Sequence, residues 1–263
     1  MHNKLIKKVE HGNFSGLAKD YSTYRPTYSR SILKSLLSLL NKPVHECDFA
    51  DIGAGTGIWT RLIDSYNPKS IIAIEPNEDM RIIGKRDSSN TNIKWQEGSG
   101  EKTGLRNKSM DMVSMASSFH WVDFEKGCLE FHRVLRKYGR FVALWNPRQL
   151  QENPLLEKLE GYISFLKPGY KRVSSGNSGR AENLTKKFCN SGLFTDVVYL
   201  EGRHVVSISP EKYIGAWHSV NDVQHQLGPD KFLDFIDHLK QGLKGIDKID
   251  VTYKTRAWSA LKK

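Results

Sequence analysis

The sequence predicts an α/β fold in which helices flank a mostly parallel sheet. Short apolar segments alternate with amphipathic ones between residues 29 and 146, which is the pattern of strands joined by crossover helices. A glycine-rich turn at residues 53–57 separates the first predicted strand from the helix that follows it. The chain has 263 residues and 38% hydrophobic content, which fits one enlarged domain around a sizeable core.

The first half of the chain supplies most of the predicted sheet. Ile32, Leu33, Leu36 and Leu37 share one face of a helix expected over residues 29–40, and Pro43 follows the end of that helix. Right-handed crossovers would make the strands that follow parallel. These strands are predicted at residues 48–52, 70–75, 93–96, 110–116 and 140–146, with helices at 58–66, 77–85 and 124–135.

The regular alternation lapses after residue 146. Helices are predicted at residues 154–166, 181–189, 210–227 and 230–243, and strands at 197–208 and 249–258. The two strands would form the last hairpin of the sheet. Segments 1–30 and 148–230 are expected to form a lid over the ligand crevice of a single domain.

The charge balance favours an anionic partner. Lys plus Arg is 40 and Asp plus Glu is 29, so the net charge is +11. Nucleic acid, a membrane surface and an acidic substrate all remain open as partners. One locally basic segment is interpreted as a solvated face. It contains Lys167, Lys171, Arg172, Arg180, Lys186 and Lys187, opposed by Glu182.

Other classes are disfavoured by the sequence. No apolar run reaches the roughly 20 residues of a membrane span, and residues 1–10 lack the pattern of a signal peptide. Cys47, Cys128 and Cys189 stand far apart, which predicts free thiols in a cytoplasmic protein and no metal-ligand spacing.

The glycine turn is the most specific motif. It carries Gly53, Gly55 and Gly57, with Asp51 before it and a helix after it. Glycines let the backbone turn tightly and approach a ligand, and a helix N-terminus offers N–H groups. The dinucleotide pattern GxGxxG is the competing interpretation, but it requires glycine where this chain has Ile58. Glu75 ends the next strand, where a carboxylate can accept ribose hydroxyls.

These motifs resemble those of a known family. Residues 51–60 resemble motif I of class I S-adenosylmethionine (SAM)-dependent methyltransferases, and residues 73–80 resemble the acidic loop that follows it. Residues 110–123 and 131–139 resemble later elements of the type 11 methyltransferases. The start of the chain is similar to that of the trans-aconitate methyltransferase-like branch, through Phe14, Ala18, Tyr21, Tyr24, Arg25, Pro26 and Tyr28.

The resemblance implies a Rossmann-like class I methyltransferase fold. Its mostly parallel seven-stranded sheet would have an antiparallel last strand and a helical lid. The cofactor would be SAM, with S-adenosylhomocysteine (SAH) as product. Asp51 would help hold the amino end of SAM, and Ser99 replaces an aspartate common in the family. The implied cofactor contacts are Tyr24, Arg25, Asp51, Gly53, Ala54, Gly55, Thr56, Gly57, Glu75, Pro76, Met80, Ser99, Gly100, Glu101, Ser117, Phe119 and Trp121.

His120 is the candidate catalytic residue because it follows the fourth strand, at a carboxyl strand end of the kind that lines a ligand crevice. It could act as a general base or only position the cofactor. Substrate contacts are expected from Tyr21, Arg148, Trp217 and His218. The sequence thus predicts O-methylation of an anionic carboxylate on a small molecule or peptide. Methylation of a nucleic acid or ribosome-associated target, and SAM binding without catalysis, remain alternatives.

Overall fold

The computed structural model describes residues 16–171 and 183–263. Phe14, Arg172, Arg180 and Glu182, which the sequence analysis singled out, lie outside the described residues. So do residues 1–15 of the predicted lid and the first two residues of the helix expected at 181–189.

A seven-stranded sheet organises the described part of the chain. The strands are β1 Asp48–Ile52, β2 Ser70–Ile74, β3 Lys94–Gln96, β4 Met110–Ala116, β5 Leu135–Trp145, β6 Phe194–Ile208 and β7 Ile249–Lys262. Their order across the sheet is β3-β2-β1-β4-β5-β7-β6. Strands β1 to β5 are parallel, and β7 runs antiparallel to β5. The predicted mixed sheet with an antiparallel last strand is confirmed.

Ten helices accompany the sheet in the described part of the chain, and several begin at a side-chain cap. They are α1 Ala18–Tyr24, α2 Arg30–Ser38, α3 Ile58–Asp64, α4 Glu78–Asp87, α5 Phe124–Val134, α6 Pro154–Leu166, α7 Leu184–Asn190, α8 Pro210–Trp217, α9 Asn221–Leu227 and α10 Pro229–Gly242. The side chains of Ser29, Asn77 and Asp123 accept a backbone N–H from the first turns of α2, α4 and α5. Such caps satisfy N–H groups that have no partner within the helix.

The single helix predicted at residues 210–227 is two helices, α8 and α9. Val220 is extended, with φ −91° and ψ 91°. The carbonyl of Ser219 accepts a hydrogen bond from Arg25 at 3.0 Å, so a side chain takes the place of a helical N–H. The predicted pairing of the last two strands is confirmed, since β6 and β7 are neighbours in the sheet, with α8, α9 and α10 between them in the chain.

The chain divides into two compact units. The sheet unit comprises Thr27–Pro147, Ser175–His204 and Lys254–Lys263, and the helical unit comprises Met1–Pro26, Arg148–Ser174 and Val205–Tyr253. The sheet unit has two apolar clusters, which contain Phe131 and Trp59 respectively. A third cluster, around Trp217 and Phe235, forms the core of the helical unit. The lid assignment stays a prediction. None of the described helices is long and apolar enough to cross a membrane.

Candidate functional site

The glycine turn between β1 and α3 has a left-handed backbone. The φ angles are +62° at Gly53, +58° at Gly55 and +81° at Gly57, a conformation that glycine adopts without steric cost. A Cβ at Gly53 would come within 2.7 Å of Ser118, whereas one at Gly55 would meet nothing within 4 Å. The turn is therefore packed at Gly53 and open at Gly55, as a ligand-binding turn requires.

Glu75 ties this turn to the end of β2. Its Oε2 atom accepts the N–H of Gly55 at 2.7 Å, and its Oε1 atom accepts the N–H of Asn77 at 2.9 Å. Burial raises the pKa of Glu75 above its ordinary value, while these two N–H groups act in the opposite direction. Each carboxylate oxygen has a second lone pair, so the predicted ribose contact is compatible with both bonds.

Asp51 lies beneath the turn and is wholly buried. Its Oδ2 atom accepts a hydrogen bond from Thr60 at 2.5 Å, and its Oδ1 atom accepts one from Ser114 at 3.1 Å. Burial raises the pKa of Asp51 to about 7 against the effect of these two hydroxyls. The carboxyl is enclosed and supports the turn, and the expected role of Asp51 in holding the amino end of the cofactor stays a prediction.

The remaining residues of the turn differ in exposure. Ala54 is half-buried and donates its N–H to the carbonyl of Ile74 at 3.1 Å. Thr56 is buried, and its backbone carbonyl accepts a bond from Arg61 at 2.6 Å. Within residues 16–171 and 183–263, the Thr56 hydroxyl is buried without a hydrogen-bond partner. Such an atom is uncommon in a folded protein and calls for a partner.

The loop expected to contact the adenine is closed by Ser99. Its hydroxyl accepts the N–H groups of Glu101 at 3.3 Å and Lys102 at 3.2 Å. Glu101 accepts the N–H of Asp123 at 3.0 Å, and Gly100 packs where a Cβ would collide with a side chain. Near α4, Pro76 is exposed and Met80 is buried. The cofactor contacts that the family resemblance implies for these residues have no test in the structure and stay predictions.

The segment after β4 brings polar and aromatic groups together. Ser117 has a φ of +56°, and its hydroxyl forms a 2.9 Å hydrogen bond with the hydroxyl of Tyr28. The indole N–H of Trp145 donates to Nδ1 of His120 at 3.3 Å. The Trp121 ring lies 4.7 Å from the His120 ring and is 41% exposed. The candidate catalytic histidine is thus held between two tryptophans.

Phe119 points away from this group. It is buried in the sheet-unit core, and its ring lies 5.1 Å from Phe141 and 5.9 Å from Phe188. The short helical turn that exposes Trp121 directs Phe119 inward, and the expected cofactor contact of Phe119 stays a prediction.

The helical unit holds Arg25 and its neighbours. Arg25 donates from Nε to the hydroxyl of Ser219 at 2.8 Å and from Nη2 to its carbonyl at 3.0 Å. The Tyr21 ring lies 5.0 Å from the guanidinium, and the Tyr24 ring packs on Gly215 of α8. These contacts orient Arg25 within the unit and pack Tyr24 on α8, and the expected substrate contact of Tyr21 stays a prediction.

Arg148 forms a buried ion pair. Its Nη1 atom lies 2.7 Å from Oε1 of Glu160, and its guanidinium lies 4.5 Å from the Trp217 ring. Burial opposes the charge of Arg148, but Glu160 raises the pKa of the guanidinium above its ordinary value. Glu160 neutralises the charge of Arg148 in this arrangement, and the expected contact with an anionic acceptor stays a prediction.

The two other expected substrate contacts, Trp217 and His218, lie at the end of α8. Trp217 is buried in the core of the helical unit, with its ring 4.9 Å from Phe235, and its expected substrate contact stays a prediction. His218 ends α8 with its ring 5.7 Å from Phe232. Burial lowers the pKa of His218, and its substrate role stays a prediction.

Sequence reasoning missed three residues of the site. Trp145 was seen as part of a strand end, but its bond to His120 was not foreseen. Tyr28 and Ser118 were not assigned to the site. The signal for Trp145 was present, because a polar-tipped aromatic residue at the carboxyl end of a parallel strand lies at the ligand edge of such a sheet.

Part of the chain is similar to known proteins. Residues 50–143 match the family model described as Methyltransferase domain. An uncharacterized methyltransferase of Schizosaccharomyces pombe is 32% identical over 151 residues, which cover 57% of this chain and 58% of that protein. A candidate S-adenosylmethionine-dependent methyltransferase of Saccharomyces cerevisiae, CRG1, is 29% identical over 165 residues, covering 61% and 55% respectively. The chain spans little more than half the length of these relatives.

Solved structures share the fold over more of the chain. A candidate type II methyltransferase from Anaeromyxobacter dehalogenans superposes with a TM-score of 0.67 at 17% identity, covering 90% of this chain and 98% of that chain. The YcgJ protein from Bacillus subtilis superposes with a TM-score of 0.51 at 18% identity, covering 89% and 99%. At these identities the likeness shows the fold alone, which is the Rossmann-like fold of class I methyltransferases.

Proposed function

We propose, from the premise that residues 50–143 belong to the methyltransferase domain family, that this chain is a SAM-dependent methyltransferase. The observation that carries the proposal is the open side of the turn at Gly55, whose N–H is held at 2.7 Å by Glu75. A tight turn with space above it and a carboxylate beside it fits the methionine and ribose parts of SAM. The cytoplasmic location stays a prediction.

The residues present fit this cofactor on two further observations. The buried hydroxyl of Thr56 lacks a hydrogen-bond partner in the part of the chain that the structure describes, so a polar ligand at the turn would satisfy it. Glu75 retains acceptor capacity for ribose hydroxyls. In the proposed complex the backbone of residues 53–57 flanks the methionine end, and Pro76 and Met80 lie towards the adenine.

Methyl transfer from SAM requires mainly that the protein align the acceptor with the methyl group. Bound SAM supplies a methyl group that a positive sulfur already activates. The side chains at the end of β4 then have to hold the acceptor in line with that methyl group and exclude water. Such alignment contributes up to about 7–11 kcal/mol in favourable cases.

The proposed acceptor is a carboxylate on a small molecule or peptide. The net charge of +11 supports an anionic substrate, and a carboxylate with a pKa of about 4 is ionised at neutral pH without a base. The pI of about 9.4 also suits a nucleic acid or ribosome-associated target, which is the second candidate. SAM binding without catalysis is the third.

A pair of matched glycine variants tests the cofactor site. Gly55 and Gly192 both have positive φ angles, +58° and +72°, and open space at the Cβ position. Alanine at either position therefore carries a similar backbone cost of about 1–2 kcal/mol. Gly55→Ala should weaken SAH binding by at least about tenfold in calorimetry, or 1.4 kcal/mol, because the methyl group fills ligand space. Gly192→Ala should bind SAH as the unaltered chain does. Equal affinities in both variants would sink the assignment.

A screen with methyl-labelled SAM tests the acceptor class. The unaltered chain would be offered carboxylates, phenols, peptides and RNA in parallel. Label on a carboxylate supports the leading proposal, and label on RNA supports the second candidate. SAH binding without label on any class supports the third.

A further inference from the structure

Trp145 and His120 form a hydrogen-bonded pair at the ligand edge of the sheet. Trp145 is the last residue of β5, and His120 lies in the turn after β4. The indole N–H donates to Nδ1 of the imidazole at 3.3 Å, and the ring centroids are 6.4 Å apart. Both groups belong to the sheet unit.

The direction of this bond fixes where the imidazole carries its proton. An indole nitrogen only donates, so Nδ1 of His120 must be the acceptor. A neutral imidazole whose Nδ1 accepts carries its proton on Nε2. In that tautomer Nε2 is a hydrogen-bond donor, and the lone pair of Nδ1 is occupied by the bond from Trp145. A general base needs a free lone pair, so His120 in this tautomer acts as a donor and not as a base.

The core holds Trp145 in place. The side chain is buried, and its ring packs edge-on against Trp258 at 5.8 Å. Trp145 also pairs with β7 through Arg256 in the sheet. Because a buried, paired residue at the end of a central strand has little freedom to turn away, the donor stays aimed at His120.

We propose that Trp145 is a positioning residue that keeps His120 in its Nε2–H tautomer, and that His120 therefore donates a hydrogen bond to an acceptor that arrives already ionised, as a carboxylate. This inference rests on the proposed methyltransferase function. One carboxylate oxygen forms the new bond to the methyl carbon while the carbon–sulfur bond breaks and its electron pair stays on sulfur. The other oxygen accepts the His120 N–H. No proton has to leave, so no base is required.

The alternative acceptors make a different demand on His120. A hydroxyl or an ammonium group must lose a proton before or during transfer, and His120 would need a free lone pair to take it. The bond from Trp145 would then have to break in every turnover. The tautomer of His120 therefore separates the two acceptor classes without requiring that the substrate be known.

Nitrogen NMR of the whole chain reads the tautomer directly. The protein would be labelled with ¹⁵N-histidine and studied at pH 8 with saturating SAH, above the histidine reference pKa of about 6.5. The His120 signals are assigned by their loss in His120→Asn. The expected result is a protonated Nε2 and an unprotonated, hydrogen-bonded Nδ1. A protonated Nδ1 in the unaltered chain would overturn the proposal.

Two tryptophan variants test the positioning role. Trp145→Phe keeps an aromatic ring but removes the donor, so the Nδ1 resonance should shift and the Nδ1–H form should become detectable. Trp121→Phe also alters a ring beside His120, at 4.7 Å, and should leave the tautomer unchanged. Unchanged Nδ1 signals in a folded Trp145→Phe protein would contradict the proposal. If that variant does not fold, the spectrum of the unaltered chain decides alone.

Two further readouts distinguish this inference from the function beneath it. SAH binding, measured by calorimetry on the same samples, fails only if the cofactor assignment is wrong. In the labelled-SAM screen, product from a carboxylate supports the inference. Product from phenols or amines alone would overturn it while leaving the methyltransferase function intact.

Discussion

Replacing Asp51 with asparagine tests the buried polar group beneath the glycine turn. Burial raises the pKa of Asp51 from its ordinary 3.8 to about 7, so the folded chain binds this proton more tightly than the unfolded chain does. The resulting stabilisation is complete below pH 4 and is lost as the pH rises towards 7. The Asp51→Asn variant lacks this titration and should become progressively more stable relative to the unaltered chain over that range.

The size of the effect follows from the shift. Each pH unit between the two pKa values changes the difference in unfolding free energy by at most about 1.4 kcal/mol. A separation of about three units gives an upper limit of about 4 kcal/mol between pH 4 and pH 7. Above pH 7 the difference should stay constant. The variant also loses one of the hydrogen bonds from Thr60 and Ser114. This loss shifts the difference in unfolding free energy by about 1 kcal/mol at every pH and leaves its pH dependence unchanged.

Urea unfolding at a series of pH values measures this difference. Subtracting the unaltered chain from the variant at each pH cancels the titration of all other groups. Asp247→Asn is the control, because it makes the same substitution at an exposed position outside the helices and strands. An Asp51→Asn difference that is flat between pH 4 and pH 7, like that of the control, would refute the argument from burial.

Two further predictions concern buried groups elsewhere. Arg148→Met should lower the free energy of unfolding by about 3–5 kcal/mol, because Glu160 would be left buried without its ion-pair partner. In urea titrations, adding Glu160→Leu should restore most of that free energy. A loss below about 1 kcal/mol in the single variant would contradict the pairing. A thiol reagent at pH 8 should modify Cys189, which is exposed, and spare Cys47 and Cys128, which are buried with pKa values raised to about 11 and about 12. Mass spectrometry of the labelled peptides, with a urea-unfolded control, checks this, and native labelling of either buried thiol at the rate of Cys189 would count against it.

The sequence was most informative where one residue type had a single structural use. Gly53, Gly55 and Gly57 have positive φ angles, which glycine adopts without cost. The apolar strand before Glu75 indicated that this carboxylate lies at the carboxyl end of the strand. These features are local, so spacing along the chain was sufficient to predict them. The parallel direction of β1 to β5 followed from the alternation of strands and helices.

Other residues could not be assigned from the sequence because their partners lie far along the chain. Ser219 is 194 residues from Arg25, and its use of that arginine breaks the helix predicted over residues 210–227. Arg148 was expected to bind an anion. Its partner Glu160 lies in the next helix, and nothing in the sequence indicates that the two side chains face each other. Phe119 and Trp121 are two residues apart in a turn, where no periodicity reveals which side chain points inward.

Titration of the unaltered chain with SAH and, separately, with NAD is the most direct test of the central claim. The open turn at Gly55, the carboxylate of Glu75 and Ile58 in place of a third dinucleotide glycine predict that SAH binds with measurable heat and that NAD does not. Heat of binding from NAD together with none from SAH would contradict the claim. The glycine turn would then be a dinucleotide-binding turn.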